Sequence, residues 1–142
     1  MRKFLILLAV LMVFSLAGCG GRDSAKAEVF ELVEENCAAI EDACVQLDIE
    51  ALEQIEGITK VDVKDGYVLV YCTGGGIAPS SQEHGFYYAP DGLPVAVFDG
   101  QILCDPADLT PDGDGYVYRD SGYNRFYTEC ITGNLFYYSA SF

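Results

Sequence analysis

The chain is short and acidic: its 142 residues include 22 Asp and Glu against eight Lys and Arg, a formal net charge of −14. Such a charge repels phosphate backbones and argues against nucleic acid as a partner. Hydrophobic residues make up 51% of the chain, which excludes a disordered polar chain and is enough for one domain with a modest core.

The first 20 residues predict a secretion signal. The positive head Arg2-Lys3 is followed by an apolar stretch over residues 4–16. Thirteen residues are too few to span a bilayer, which needs about 20, but they fit the core of a signal peptide. Leu16-Ala17-Gly18-Cys19 comes directly after this core and resembles the lipobox of bacterial lipoproteins.

The resemblance implies removal of residues 1–18, a diacylglyceryl group on the Cys19 thiol, and a domain held at the membrane on the extracytoplasmic side of the cell envelope. The alternatives are an ordinary secreted protein and an uncleaved helical anchor. Two acyl chains on one residue anchor a protein stably, whereas one holds it only marginally. We expect residues 19–26 to be a lipidated tether and residues 27–142 to be a single domain. The mature chain keeps six basic and 22 acidic residues, a formal charge of −16.

Apolar residues at spacings of three and four predict an α-helix from about Ala25 to Leu47. The residues on its apolar face are Phe30, Val33, Cys37, Ile40, Cys44 and Leu47. Asp48 is placed to be the N-cap of a short second helix, Ile49 to Glu56, which Gly57 would end.

After Gly57 the apolar residues recur with a period of two, which predicts β-strands. Residues 58–64 and 67–73 flank Asp65-Gly66, a strong hairpin signal because both turn residues can adopt positive φ. Counting outward from the turn pairs Val63 with Val68, Val61 with Val70, and Thr59 with Cys72. These six residues share one face, and the other face is mixed, as expected for an antiparallel sheet covered on one side.

The remaining pattern predicts further strands, with loops at 74–84 and 105–115 and a turn at Gly133-Asn134. The predicted strands are residues 85–89, 94–99, 101–104, 115–119, 123–132 and 135–142. The fold class is therefore α+β, with an N-terminal helix and a short second helix packed on an antiparallel sheet of five to seven strands.

Five cysteines remain besides Cys19. They are Cys37, Cys44, Cys72, Cys104 and Cys130. Two turns of helix separate the Cα atoms of Cys37 and Cys44 by about 10 Å, beyond the ~7 Å limit for a disulfide. An extracytoplasmic location permits two helix-to-sheet disulfides and one free thiol. The alternative is that all five are small buried residues.

Catalytic and metal sites find little support in the sequence, and no cofactor is expected. His84 is the one histidine and is predicted to lie exposed on a loop. A catalytic triad is not expected, because the neighbouring Ser80, Ser81 and Glu83 are too close along the chain to converge with His84. Gly74-Gly75-Gly76 lacks the Lys-Ser/Thr of a phosphate-binding loop and is interpreted as a strand exit.

The 105–114 loop is rich in aspartate and is a candidate for a hard cation such as Ca²⁺. The residues concerned are Asp105, Asp108, Asp112 and Asp114. Their spacing does not match a calcium-binding EF-hand loop, and turn formation explains them as well, so no metal is predicted.

The tyrosines suggest a contact surface. Tyr67 and Tyr71 lie on the outer face of the predicted hairpin, and Tyr87 and Tyr88 are candidates to extend it. The alternative is that these side chains pack against the helix. We expect a non-enzymatic, membrane-tethered binding domain whose acidic, Tyr-bearing surface holds a cationic protein or peptide. The competing expectation is a small-ligand carrier or envelope enzyme that uses the 74–84 and 105–114 loops.

Overall fold

The computed structural model describes residues 21–75, 81–98, 101–104, 108–119 and 124–141. The predicted signal and Cys19 lie outside these residues. Two helices come first, α1 (Gly21–Gln46) and α2 (Ile49–Glu53). Nine strands follow: β1 (Lys60–Lys64), β2 (Tyr67–Gly75), β3 (Gln82–Tyr88), β4 (Ala96–Phe98), β5 (Gln101–Cys104), β6 (Thr110–Asp112), β7 (Gly115–Arg119), β8 (Arg125–Thr132) and β9 (Leu135–Ser141).

Seven of the strands form one antiparallel sheet in the order β1-β2-β3-β9-β8-β7-β6, and β4 and β5 pair separately. Two meanders, β1-β2-β3 and β6-β7-β8-β9, therefore meet at the central β3–β9 pair. The predicted α+β class, with one long and one short helix packed on the sheet, is confirmed.

Helix α1 begins earlier than predicted, at Gly21 rather than Ala25, so residues 21–26 of the expected tether are helical. The helix ends when Leu47 adopts a left-handed φ of 56°. The Leu47 and Asp48 amides then donate to the carbonyls of Cys44 and Ala43, which is the Schellman arrangement. Leu47 is 46% exposed and does not join the buried face as predicted.

The second helix is confirmed at its start and shorter than predicted at its end. The Asp48 carboxylate accepts a hydrogen bond of 3.1 Å from the Ala51 amide, which makes Asp48 the N-cap. The helix ends at Glu53 instead of Glu56. Gly57 lies beyond the helix and adopts a φ of 96°.

The first hairpin has the predicted register. Val63 lies opposite Val68 and Val61 opposite Val70, around a turn in which Asp65 and Gly66 both have positive φ. The predicted pairing of Thr59 with Cys72 lies beyond β1, which begins at Lys60; the Thr59 amide donates to the Tyr71 carbonyl instead.

The expectation that one face of the sheet is open is wrong, because both faces are buried. On one face, α1 and α2 cover a core that includes Val33, Ile40 and Leu52. On the other face, Val95, Ala96 and Leu109 contribute to a second core. That second core also contains Leu69, Tyr87, Phe126, Phe136 and Tyr138.

The packing of α1 predicts a large difference between two substitutions on this helix. Ile40 is fully buried, whereas Val45 is 66% exposed. Ile40→Ala should lower the free energy of unfolding by about 2–5 kcal/mol, because it removes buried methyl groups and leaves a cavity. Val45→Ala should change it by less than about 0.5 kcal/mol. Urea unfolding followed by circular dichroism measures both, and equal losses would contradict this packing.

Candidate functional site

Polar side chains gather at one end of the helix-covered face, on the central strands β3, β9 and β8. Ser139 of β9 lies opposite His84 of β3 and Tyr127 of β8. Two residues further along, Ser141 lies opposite Gln82 and Arg125. Directly opposed residues in antiparallel strands share a face, so these two rows continue the surface that is apolar under the rest of α1.

These rows form the floor of a cleft of about 240 Å³, which we call the basic cleft. It is lined by Lys26, His84, Arg125, Tyr127, Tyr137, Ser139 and Ser141. Drug-sized ligands occupy pockets of roughly 300–1,000 Å³, so the basic cleft is suited to a smaller ligand.

Lys26 reaches the basic cleft from the first turns of α1. Its ammonium nitrogen lies 5.8 Å from the ring centre of Tyr127 and 6.0 Å from that of Tyr137, distances typical of cation–π contacts. Lys26 also forms an ion pair with Glu129, whose carboxylate accepts a hydrogen bond of 2.6 Å from the Tyr127 hydroxyl. Burial, and then this hydrogen bond, raise the pKa of Tyr127 above its ordinary value. The phenol therefore keeps its proton at neutral pH and donates it to Glu129.

His84 lies within β3 and is only 7% exposed, so the prediction of an exposed loop histidine is wrong. Its Nδ1 lies 2.8 Å from the Tyr137 hydroxyl, and the two rings stack with centres 6.3 Å apart. Strand pairing with β9, rather than the neighbouring Ser81 and Glu83, sets its surroundings.

Arg125 forms the outer wall of the basic cleft, and one of its buried hydrogen-bond donors is unused among the described residues. One terminal nitrogen donates to Asp112 at 2.9 Å, while Nε is buried and has no partner among the described residues. Arg119 of β7 lies directly opposite Arg125. Like charges in opposed positions of a sheet are destabilising, so this end of the sheet favours an anion nearby.

The side chains that line the basic cleft differ in charge from the protein as a whole. Lys26 and Arg125 are two of only six basic residues after position 19, and the one histidine, His84, also lines the cleft. The lining of the cleft includes no acidic residue among those described, although Glu129 and Asp112 pair with its cations from outside. Two cations and two serine hydroxyls are groups that hold an anion.

Of the four tyrosines predicted to form a contact surface, three lie in or against the second core and one lies on the helix side of the sheet. Tyr67 and Tyr71 are half-buried and pack against the second core, and burial raises the pKa of Tyr71. Tyr88 is half-buried against the helix-side core. Tyr87 is fully buried, so its assignment to an exposed surface is wrong.

The Tyr87 hydroxyl links Val95, a residue of the second core, to the sheet by hydrogen bonds. It accepts a hydrogen bond of 3.0 Å from the Val95 amide and lies 2.8 Å from the Thr128 hydroxyl. Thr128 in turn donates to the Tyr137 carbonyl at 2.9 Å. A tyrosine that fixes a segment in this way is a core residue.

The cysteines described by the structure are free thiols. Cys44 is buried, Cys37 and Cys72 are half-buried beside it in the helix-side core, and Cys130 is exposed. Burial raises the pKa of both Cys44 and Cys72 to about 12. The side chain of Cys104 lies outside the described residues.

Part of the aspartate-rich segment that was predicted to be a loop is a β-strand. Thr110–Asp112 forms β6, and a two-residue turn, Gly113-Asp114, connects it to β7. Asp108 and Asp112 line a separate pocket of about 420 Å³ beside Arg119. Among the described residues, which do not include Asp105, no group of three metal-ligating side chains occurs.

Sequence reasoning missed Lys26, Arg125, Ser139 and Ser141. Lys26 seemed part of a polar tether, and the other three had no motif around them. The alternation of β9 does place Tyr137, Ser139 and Ser141 on one face, but it does not show that β3 and β8 lie on either side.

The functional assignment rests on the geometry of the site, because the comparisons with known proteins found no match. No protein-family model, curated protein or solved structure matches the chain. Among the residues that the structure describes, no helix has both the length and the apolar character needed to cross a bilayer.

The hydroxyl network predicts the cost of removing one oxygen. Tyr87→Phe leaves the Val95 amide without its acceptor, so we expect a loss of about 1–3 kcal/mol in unfolding free energy. Tyr116→Phe, at an exposed position, should cost less than about 0.5 kcal/mol. Urea denaturation of both variants checks this, and an unchanged Tyr87→Phe variant would favour the surface position predicted from the sequence.

The thiol environments predict selective alkylation at pH 8. Iodoacetamide should modify Cys130 rapidly and Cys44 and Cys72 only after denaturation, because a pKa of about 12 leaves only ~1 in 10,000 of these thiols ionised. Peptide mass spectrometry measures this without reductant. Cysteines that resist alkylation even when denatured, until a reductant is added, would instead indicate the disulfides considered from the sequence.

The same shifts predict a pH dependence of stability. The folded-state pKa lies above the ordinary thiol value of 9.0, so the unfolded state loses its protons first as pH rises. The contribution of the two protonated thiols is complete below pH 9 and is lost progressively between pH 9 and about 12. Unfolding midpoints of Cys44→Ala and the parent chain across this range should converge as pH rises.

Proposed function

We propose that the protein is a lipid-anchored, extracytoplasmic domain that binds a small anionic ligand in the basic cleft and does not transform it chemically. The observation that carries the binding function is the gathering of Lys26, Arg125 and His84 around hydroxyl groups in a strongly acidic protein. The lipobox Leu16-Ala17-Gly18-Cys19 supports the anchoring and the envelope location.

A small ligand is favoured over a protein partner, because the tyrosines expected to hold a cationic protein are buried or half-buried in the two cores. The basic cleft, in contrast, is open to solvent and is lined by charged and polar side chains. The cleft also fits the competing expectation in part, since His84 ends the 74–84 segment and forms one of its walls.

A second candidate function is retained, because one observation favours it. The solvent side of α1 exposes a row of carboxylates that a basic protein or peptide could contact. These are Glu28, Glu31, Glu34, Glu35 and Asp42. Binding of this kind should weaken strongly between 50 and 300 mM salt, roughly the range over which exposed charges become screened.

Anchoring is tested by the intact mass of the protein from the membrane fraction. The expected species begins at Cys19 and carries diacylglyceryl and acyl mass. Cys19→Ser should abolish the lipid mass and release the domain from the membrane fraction. A parent protein that starts at another residue, or that carries no lipid, would disprove the anchor.

Anion binding is tested by calorimetric titration at constant ionic strength with phosphate, sulfate, succinate and a neutral sugar. At least one anion should bind saturably, and Lys26→Gln should weaken it about tenfold, the factor expected for one charge-assisted contact. Lys64→Gln is the matched control, because it removes the same charge from β1, away from the cleft. No saturable anion, or equal effects of the two variants, would disprove the proposal.

A further inference from the structure

We infer that the anion held in the basic cleft is a phosphate group, either free or on a lipid headgroup at the membrane surface. This inference rests on the proposed function and specifies its ligand. Three features of the described residues support it: the directions from which the donors come, the opposed arginines, and the distance of the cleft from Cys19.

The donors approach the basic cleft from several elements. Lys26 comes from α1 above the sheet, Arg125 from β8, and Ser139 and Ser141 from β9 below. A planar carboxylate is satisfied by one guanidinium fork, whereas the oxygens of a tetrahedral phosphate point in different directions and need donors on several sides. The mixture of a guanidinium, an ammonium and hydroxyls on two sides of one small cleft suits the tetrahedral group.

The arginine pair supplies a second and independent observation. Arg119 and Arg125 occupy opposed positions at the ends of β7 and β8, and Asp112 contacts only one terminal nitrogen of Arg125. The buried Nε of Arg125 has no acceptor among the described residues, and an unsatisfied buried donor is costly. A phosphate has enough oxygens and charge to accept from Arg125 and reduce the repulsion between the two guanidiniums.

The position of the basic cleft brings it near membrane phosphates. Lys26 is five residues after Gly21, the first residue of α1, which is about 8 Å along the helix axis. Two further residues reach back to Cys19 and span at most about 7 Å. The Cα atom of Lys26 therefore lies within roughly 15 Å of the Cα atom of Cys19, the residue proposed to carry the lipid. At this distance the basic cleft is within reach of the headgroup layer.

The experiment uses the lipidated chain purified in a phosphate-free detergent. Calorimetric titrations with inorganic phosphate, glycerol 3-phosphate and succinate are run at constant ionic strength. The expected result is that both phosphates bind at least tenfold more tightly than succinate. Arg125→Gln should weaken phosphate binding about tenfold, Arg125→Lys should weaken it less, and Lys64→Gln should leave it unchanged. Thermal melting of each variant shows that it is folded.

A second arm identifies the source of the phosphate. The protein is placed in phosphatidylglycerol bilayers or in bilayers of a neutral glycolipid, and inorganic phosphate is titrated in each. Weaker apparent binding of phosphate in phosphatidylglycerol means that the headgroup competes for the cleft, which supports the inference with a lipid source. Equal binding in the two bilayers supports it with a soluble phosphate.

Two results would overturn the inference, and they differ in what they leave standing. Succinate binding as tightly as phosphate, with the same dependence on Arg125, would reject phosphate and keep the proposed anion-binding function. Absence of saturable binding by every anion, in a folded parent protein, would reject both.

Discussion

The pairing of β3 with β9 is the interaction on which the rest of the structure depends. Seven residue pairs join these strands, and they connect two meanders that are otherwise separate along the sheet. The close approach of β3 to the backbone of β2 and to the Tyr138 ring of β9 requires a glycine at position 85. A Cβ atom there would lie 1.9 Å from the Val70 carbonyl oxygen and 2.9 Å from the Tyr138 ring. No side chain fits in that space, so Gly85 allows the central strands to lie together with an aromatic ring across them.

This central pair also determines where the basic cleft lies. Along the helix-side face of β9, Leu135 and Tyr137 are buried under α1, and Ser139 and Ser141 come next. The same change from apolar to polar occurs on β3, from Phe86 to His84 and Gln82. The cleft is therefore the polar end of the same face that forms the helix-side core, and Lys26 of α1 lines it. A rigid strand backbone positions the serines, and ring and ion-pair contacts position the lysine, which favours a preformed site.

Local patterns in the sequence predicted most of the secondary structure but not the order of the strands in the sheet. The period of α1, the Asp48 cap and the Asp65-Gly66 turn each depend on residues within a few positions, and each was predicted. The β3–β9 pairing joins residues more than 45 positions apart, and no periodicity encodes which strands are neighbours. The second core was missed for the same reason: Val95 falls in a predicted strand and Leu109 in a predicted loop, and neither pattern shows that these residues pack on the sheet. His84 was misjudged as exposed, and Lys26 was not recognised as a residue of the site.

The acidic surface and the basic cleft act over different distances, and this difference bears on the kind of anion the protein would accept. At physiological ionic strength exposed charges are screened beyond about 8 Å. A molecule that comes within this distance of the domain first meets the exposed carboxylates of α1 and a surface of net negative charge. A large polyanion has to place many of its charges against that surface and is repelled. A single phosphate, the ligand that we propose, would meet Lys26 and Arg125 in the basic cleft, where partial burial reduces screening and each donor contact is short-ranged. The same acidic envelope that argues against nucleic acid as a partner would thus act as a filter that leaves the basic cleft to small anions.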